Sequence, residues 1–375
     1  MRLGFITYGL DRPLFGVSRV VLELGRALAA RPDCDPVFLT PYRDGPFAEH
    51  GDSAVYLPGA RLLPGLMSIG ALELPIIARR HTLPIIHDPT GVSPFLLGRW
   101  AGRYKRVVSV HDAIAFRYPA GYTRFNNFLH RQYVPQTLRN VDAVITMSEA
   151  SRNDLIQFLR LPPDKVHVIP LATDVAFQPL PAQHAAEVSA RFGLRPPYVL
   201  YVGALEARKN LVTLLHAFAR LRADFPDLTL AIAGRPRWKY SEIPHTLEVL
   251  HLGDAVHFTG YVPDADLPAL YNAAAVFCFP SLYEGFGLPV LEAMACGTPV
   301  VCSAASSLPE VAGDAALLVP PNDIAALANA LGRVMAEPAL AGDLRARGLR
   351  RAATFSWDRT AEMTLAVYRR VLDGA

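Results

Sequence analysis

The chain has 375 residues, of which 51% are hydrophobic and 19% are charged, a composition that excludes a disordered or linker-type protein. Its length predicts two full-sized domains with a cleft between them, each domain able to bury a core of its own. The net charge of +3 is far below that of a dedicated nucleic-acid binder, so we expect no nucleic-acid partner.

Short β-branched runs alternate with helical patterns along the whole chain, which is typical of parallel sheets covered on both faces by crossover helices. In the first half we predict strands at Leu3–Tyr8, Pro36–Leu39, Ile85–His87, Val107–Val110, Ala143–Met147 and Val166–Pro170. In the second half we predict them at Tyr198–Val202, Thr229–Ala233, Val256–Thr259, Val276–Phe279, Pro299–Cys302 and Ala316–Val319. The predicted fold class is therefore α/β, with two Rossmann-like, doubly wound domains.

Prolines interrupt regular structure between the two halves, among them Pro179 and Pro181. We therefore expect a first domain at residues 1–178 and a second at 179–355. Residues 356–375 carry a strongly amphipathic pattern and are predicted as a final helix.

The first strand is followed by a loop that Gly9 and Gly16 bracket, and Gly16 opens a helix whose backbone N–H groups can face an anion. The loop lacks G-x-G-x-x-G, which argues against a nicotinamide-dependent oxidoreductase. The strand at Val107–Val110 ends in His111, where an imidazole can donate to a substrate oxygen. The alternative is a core histidine satisfied by Asp112 or by a carbonyl.

The strand at Tyr198–Val202 ends in Gly203, which is followed by Arg208, Lys209 and Asn210 before the next helix. A flexible glycine, two adjacent cations and a helix N-terminus together favour a site for a polyanion such as a diphosphate. We expect Asn210 to cap the helix. The alternative is a solvated pair of cations, which would oppose the helix dipole.

The densest signal is FPSLYEGFGLPVLEAMACGTPVVCS, in which Glu284 precedes a glycine turn and Glu292 follows eight residues later. Between them lie backbone N–H groups that can hold a diphosphate, those of Gly285, Phe286, Gly287 and Leu288. Carboxylates beside an anion site are suited to sugar hydroxyls, which donate to them. We expect Glu284 to hold a transferred sugar and Glu292 the diol of a ribose, although a surface role would explain Glu292 alone.

No C-x-x-C pair occurs among the four cysteines, Cys34, Cys278, Cys296 and Cys302. We predict free thiols in a reducing, cytoplasmic compartment and no structural zinc. No apolar stretch approaches the ~20 residues that span a bilayer, so any membrane contact is expected to be peripheral.

These motifs resemble the retaining, nucleotide-sugar-dependent glycosyltransferases of family 4, which have the two-domain GT-B fold. The match is carried by SLYEGFGLPVLEAMACGTPVV, with Glu284 and Glu292 as the family's Glu–seven–Glu pair. It extends through VGALEARKNLVTLLHAFARL, FTGYVPDADLPALYNAAAVFCFPS and FSWDRTAEMTLAVYRRVL. In the first half it is thinner and rests on the Gly16 loop, VHDAIAFRYP, VITMSEASRNDLI and VHVIPLATD.

The resemblance implies that the second domain binds a nucleotide diphosphate sugar, that the first binds the acceptor, and that the final helix packs back on the first domain. Transfer would follow a front-face path that needs no metal or other cofactor. Arg208 and Lys209 would then stabilise the departing phosphate, His111 would lie over the sugar, and Glu284 would orient its hydroxyls. The backbone around Val262 would recognise the base.

The sequence departs from the family pattern at two places, where Ala204 replaces a frequent arginine and the first-loop glycine pair is reduced to Gly16. Asp264 and Asp266 match a D-x-D metal motif, but their setting predicts capping carboxylates at a helix start. Local similarity favours GDP-mannose as donor, with UDP-glucose or UDP-N-acetylglucosamine as alternatives. A nucleotide-sugar epimerase and a non-catalytic scaffold of the same fold are the alternatives from other classes.

The acceptor class stays open between a lipid, a saccharide and a small molecule. Residues 1–180 carry 20 basic and 15 acidic side chains, which fits an anionic surface or acceptor, or an ordinary solvated face. Peripheral membrane contact is predicted at the basic and aromatic segment Tyr122–Arg139. The same prediction covers Arg99, Trp100, Arg103, Tyr104, Lys105 and Arg106, for which an ordinary loop is the alternative.

Overall fold

A computed structural model of the protein describes residues 1–10, 16–47, 53–57, 66–98, 102–119, 123–235 and 242–374. The chain forms two compact units, unit 1 from Met1–Leu171 with Ser356–Ala375 and unit 2 from Ala172–Phe355. The division precedes the boundary that we predicted after residue 178. The reason is that residues of this segment contact unit 2, where the ring of Phe177 lies 5.9 Å from that of Tyr271.

Unit 1 is built on a parallel sheet, and its described strands are β1 (Arg2–Ile6), β2 (Asp35–Thr40), β3 (Ala54–Tyr56), β4 (Ile85–Asp88), β5 (Lys105–Ser109), β6 (Ala143–Thr146) and β7 (Val166–Val168). Their order across the sheet is β3-β2-β1-β4-β5-β6-β7. The sequence predicted six of them and missed β3, because a three-residue edge strand is too short to show a period.

Helices cover both faces of this sheet: α1 (Val17–Ala29), α2 (Ala71–Arg80), α3 (Ile114–Arg117), α4 (Arg124–Phe128), α5 (Val134–Leu138) and α6 (Glu149–Leu159). Wider π-helical turns precede α2 and α5, at Leu66–Gly70 and Leu129–Tyr133. Neighbouring strand residues enter opposite cores, so that Ile85 packs in one and Ile86 in the other.

Unit 2 has a parallel sheet of β8 (Tyr198–Val202), β9 (Thr229–Ala233), β10 (Val256–Gly260), β11 (Val276–Phe279), β12 (Val300–Ser303) and β13 (Leu317–Val319). Its helices are α7 (Ala182–Arg191), α8 (Leu211–Leu221), α9 (Glu242–Val249), α10 (Leu267–Ala273), α11 (Leu288–Ala295), α12 (Leu308–Ala312), α13 (Ile324–Ala336) and α14 (Pro338–Ala352). The strand order is β10-β9-β8-β11-β12-β13. Strands β11 and β12 are buried along their whole length, as expected for a parallel sheet covered on both faces.

The last helix, α15 (Trp357–Asp373), belongs to unit 1. Ala361, Leu365 and Tyr368 pack in the core that also holds residues of α1 and β1. The Tyr368 hydroxyl lies 2.6 Å from Nδ1 of the buried His87 on β4. A helix at the end of the sequence is thereby fixed to a central strand near its beginning.

Burial of Tyr104 and Arg106 makes the prediction of membrane contact wrong for these two residues. Arg106 lies on β5, where strand alternation turns its side chain inward. Its Nη1 donates to the Tyr104 carbonyl at 2.8 Å, and its Nη2 donates to the Gly102 carbonyl at 3.0 Å. Three other residues of that prediction lie outside the described residues, Arg99, Trp100 and Tyr122.

All four cysteines are free and buried. Burial raises the pKa of the Cys34 thiol to about 11 and that of Cys302 to about 12, so these side chains behave as small core hydrophobes. None of the described helices is both long and apolar enough to cross a membrane.

Candidate active site

Glycines directly follow β8 and β9 and close β10, and they bring the ends of these three strands together. The Gly203 N–H donates to the Ala233 carbonyl at 2.9 Å, and the Gly234 N–H donates to the Gly260 carbonyl at 2.8 Å. A Cβ on Gly234 would lie 1.9 Å from the Gly203 carbonyl oxygen, so this close approach requires glycine. The sequence pointed to Gly203 but not to Gly234, although both directly follow short apolar runs.

The loops after β8 and β11 are joined at the point where the strand order reverses, which is where open α/β sheets bind ligands. The Leu282 N–H donates to the Arg208 carbonyl at 2.9 Å, and Asn210 Nδ2 donates to the Pro280 carbonyl at 3.2 Å. Asn210 precedes α8, as predicted, but its side chain makes no capping hydrogen bond. The predicted capping bond to a backbone N–H is wrong, because Asn210 Oδ1 instead accepts from the Thr213 hydroxyl at 2.8 Å while the amide nitrogen links the two loops.

Two cations from the first loop meet a carboxylate from the second. Lys209 Nζ lies 2.6 Å from Glu284 Oε1, and Arg208 Nη1 lies 3.0 Å from the same oxygen. Lys209 Nζ also lies 4.9 Å from the centre of the Phe279 ring, within the range of a cation–π interaction. The predicted diphosphate cations and the predicted sugar-binding carboxylate thus form one buried cluster.

The charges of this cluster are set by mutual contact inside a buried site. Burial acts to raise the pKa of Glu284, but the charges of Lys209 and Arg208 outweigh it and lower the pKa to about 2. Burial lowers the pKa of Lys209, and the nearby Glu284 carboxylate partly opposes this shift. Glu284 is therefore ionised at neutral pH and can only accept hydrogen bonds.

The glycine turn after Glu284 leads into α11, with Gly287 at φ +115° before the first helical residue Leu288. The Glu284 N–H donates to Ser306 Oγ at 2.7 Å. Ser307 Oγ donates to the carbonyls of Glu284 at 3.0 Å and Phe286 at 2.6 Å. Two serines after β12 therefore fix the glycine turn that directly precedes the positive N-terminal end of α11. The sequence analysis did not single out either serine.

The remaining donor-site residues predicted in unit 2 occupy buried or half-buried positions. Glu292 is buried in α11, and its Oε2 accepts a hydrogen bond from the Tyr271 hydroxyl at 2.9 Å. Phe286 and Val262 are buried, whereas Gly285 is half-buried. The Tyr271 contact was not predicted, and the binding of a ribose by Glu292 stays a prediction.

His111 follows β5 in unit 1 and is half-buried. Its Nε2 lies 2.8 Å from the Pro89 carbonyl, which can only accept, so Nε2 carries the proton. Burial lowers the pKa of His111, although the Pro89 carbonyl and Asp112 oppose this shift. The neutral ring thus presents Nδ1 as an acceptor, whereas the sequence suggested a donor toward substrate.

A buried carboxylate, Asp88, organises the loop after β4, and the Pro89 carbonyl of this loop contacts His111. Its Oδ1 accepts from the Thr90 N–H at 2.9 Å and its Oδ2 from the Ser93 N–H at 2.7 Å. Asp112 is engaged elsewhere, since it accepts from the Ile114 N–H at 2.9 Å. Gly16 lies directly before α1 at φ +48°, and residues 11–15 of its loop lie outside the described residues.

Residues 16–177 match the family model described as Glycosyltransferase Family 4, and residues 185–351 match the model described as glycosyl transferases group 1. The chain is similar to the O-antigen chain mannosyltransferase B of Escherichia coli, with 31% identity over 391 residues that cover 98% of this chain and 100% of the relative. The chain belongs to glycosyltransferase family 4.

This glycosyltransferase is also similar to a second mannosyltransferase and to a sucrose-phosphate synthase of known structure. It is 33% identical to the MMP alpha-(1->4)-mannosyltransferase of Mycolicibacterium hassiacum. The match extends over 328 residues and covers 86% of this chain and 72% of the relative. It has a TM-score of 0.81 and 27% identity with a sucrose-phosphate synthase from Thermosynechococcus elongatus, over 100% of both chains. The predictions of a GT-B fold and of a hexose-transferring enzyme are confirmed.

The second aspartate of the D-x-D motif, Asp266, forms an ion pair with Arg191. Asp266 precedes α10 without capping it, because its Oδ1 lies 2.6 Å from Arg191 Nη2. Within the described ranges, no group of three or more His, Cys, Asp or Glu side chains is arranged to hold a metal ion.

Proposed function

We propose that this glycosyltransferase moves mannose from GDP-mannose to a saccharide or lipid-linked acceptor, with retention and without a metal ion. The observation that supports it most is the cluster of Arg208, Lys209 and Glu284 at the carboxyl ends of β8 and β11. Mannose is supported by two relatives described as mannosyltransferases, whose matches cover 98% and 86% of this chain.

The cluster suits the chemistry of leaving-group departure. Arg208 and Lys209 are preorganised cations, and they stabilise negative charge that develops on the departing diphosphate. The ionised Glu284 accepts hydrogen bonds from sugar hydroxyls. In a front-face path the departing phosphate oxygen takes the acceptor proton, so unit 2 needs no separate general base.

A donor titration tests the mannosyl proposal. We expect GDP-mannose and GDP to raise the melting temperature of the protein, and we expect GDP release from GDP-mannose to increase when a crude polysaccharide or lipid fraction is added. Stabilisation by UDP-sugars, with GDP-mannose without effect, would contradict the choice of donor and favour UDP-glucose or UDP-N-acetylglucosamine. The same assay with dTDP-sugars serves as a control for non-specific nucleotide binding.

Peripheral contact of unit 1 with an anionic lipid surface is part of the proposal. Ile69, Leu72 and Ile76 follow helical spacing on and before α2, and they expose 52%, 60% and 69% of their surface. Arg79 and Arg80 lie in the last turn of the same helix. Residues 66–140 carry 10 basic and 3 acidic side chains, so an apolar stripe lies in a basic segment, as in interfacial helices.

Co-sedimentation with vesicles tests this surface. We expect the protein to bind phosphatidylglycerol vesicles more tightly than phosphatidylcholine vesicles, and we expect Leu72→Ser/Ile76→Ser to weaken that binding. Val249→Ser, at another exposed apolar position, is the matched control. Equal binding by both vesicle types, or undiminished binding by the double variant, would contradict the assignment.

A further inference from the structure

A second carboxylate, Glu206, contacts the cation cluster from its outer side. Glu206 Oε1 lies 2.5 Å from Arg208 Nη2. The other terminal nitrogen of Arg208 contacts Glu284 and donates to the Tyr283 carbonyl. Glu206 itself precedes the 3-10 turn Ala207–Lys209, and its carbonyl accepts from the Lys209 N–H at 2.9 Å.

The four charged side chains of the cluster balance one another. Arg208 and Lys209 supply two positive charges, and Glu206 and Glu284 supply two negative charges in direct contact with them. A diphosphate carries at least two further negative charges. Its affinity for a balanced cluster is limited unless one carboxylate gives up its cation.

Of the two carboxylates, Glu206 is the one placed to give way. Its side chain is 23% exposed, against 11% for that of Glu284, so water can solvate it once it leaves Arg208. Glu284 contacts both cations, whereas the ion pair of Glu206 within the described residues is with Arg208. Arg208 would stay anchored through Nη1 while Nη2 becomes available to an incoming phosphate oxygen.

We propose that Glu206 is a positioning residue that acts through Arg208: it holds the guanidinium in place, yields Nη2 to the diphosphate of the donor, and recaptures it as the nucleoside diphosphate leaves. This inference rests on the proposed role of the cluster as the diphosphate site. It predicts that Glu206 weakens diphosphate binding and speeds product release. Product release limits turnover in many enzymes. A Glu206 side chain that speeds this release would therefore raise turnover even though it weakens binding of the donor.

The test is Glu206→Gln, which keeps a hydrogen-bond acceptor for Arg208 but removes the negative charge. We expect the Kd of GDP and of inorganic pyrophosphate, measured by calorimetry, to fall about three- to tenfold. Both KM for the donor and kcat should fall, because donor binds more tightly and product leaves more slowly. Glu206→Asp, which retains the charge, should lower these Kd values less than Glu206→Gln does.

A double-mutant cycle shows whether the effect passes through Arg208. In an Arg208→Gln background, Glu206→Gln should change the Kd of pyrophosphate by less than about twofold. Glu337→Gln, which removes a surface carboxylate paired with Arg333, is the matched control and should change neither Kd nor kcat.

The outcomes separate this inference from the proposed function. Unchanged or weaker pyrophosphate binding by Glu206→Gln would overturn the exchange while leaving the site assignment intact. An effect of equal size in the Arg208→Gln background would overturn the route through Arg208. If neither GDP, UDP nor pyrophosphate binds the wild-type protein, the proposed function and the inference fail together.

Discussion

At the scale of single residues, the Lys209–Glu284 contact joins activity to stability. If Glu284 served only to hold a sugar, Glu284→Ala would abolish transfer and barely change stability. The structure changes that expectation, because Glu284 is buried against two cations. Its removal leaves a buried ammonium without its carboxylate, which we expect to cost about 3 kcal/mol of folding free energy in addition to a loss of about 100-fold or more in kcat/KM.

A paired substitution separates the two effects of Glu284. Lys209→Met/Glu284→Gln removes both charges together, so most of the folding free energy should return while transfer stays lost. Urea unfolding and donor turnover, measured on the same preparations, check both halves. Recovery of activity in the double variant, or a Glu284→Ala protein as stable as wild type, would contradict the role of the pair.

At the scale of elements, the meeting of three strand ends makes Gly234 the least replaceable glycine of unit 2. A methyl group there would overlap the Gly203 carbonyl, and the φ of +155° lies where side chains are rarely found. We expect Gly234→Ala to lower the melting temperature by about 10 °C or more, or to prevent folding. Gly253→Ala, where an added Cβ meets nothing within 4 Å, is the matched control and should shift it little.

Strands could be predicted from the sequence because each corresponds to a local hydrophobic run. Contacts between loops could not be predicted in this way. Twelve strands follow from short apolar runs ended by glycine, proline or polar residues, whereas β3 has too few residues to show a pattern. Glu284 and Lys209 could be found because each follows a strand that ends at the same sheet edge. Ser306 and Glu206 could not, because their partners are set by loop geometry that no sequence period encodes.

Strand phase explains the error in the basic surface of unit 1. Lys105 and Arg106 look alike as consecutive cations in a loop, but β5 already begins at Lys105. Successive strand residues face opposite sides, so Lys105 reaches Asp142 at 3.7 Å while Arg106 is buried against carbonyl groups. A shift of two residues in the predicted strand start was sufficient to misplace the side chain.

At the scale of the whole molecule, the chain returns to unit 1 through α15, and His87 and Tyr368 hold that return. His87 is fully buried, with Nε2 2.8 Å from Ser109 Oγ and Nδ1 2.6 Å from the Tyr368 hydroxyl. Tyr368→Phe would leave the buried Nδ1 without this hydrogen-bond partner, at a cost of about 1–3 kcal/mol. A buried polar contact thus ties the closing helix to the sheet within an apolar core.

Burial of His87 also makes the stability of the protein depend on pH. Burial lowers the pKa of His87 from 6.5 to about 3. Below pH 6.5 the unfolded chain therefore binds a proton at this histidine, whereas the folded chain does not bind it until about pH 3. Stability contributed by neutral His87 is therefore complete above pH 6.5 and is lost as the pH falls from 6.5 toward 3, at up to ~1.4 kcal/mol per pH unit.

Between pH 7 and pH 5 the wild-type protein should lose about 2 kcal/mol more unfolding free energy than His87→Gln does. Urea titrations at both pH values measure this difference, with His184→Gln, at an exposed helical position, as the control for loss of one histidine. Equal pH dependence in wild type and His87→Gln would contradict the role of the buried imidazole in this pH dependence.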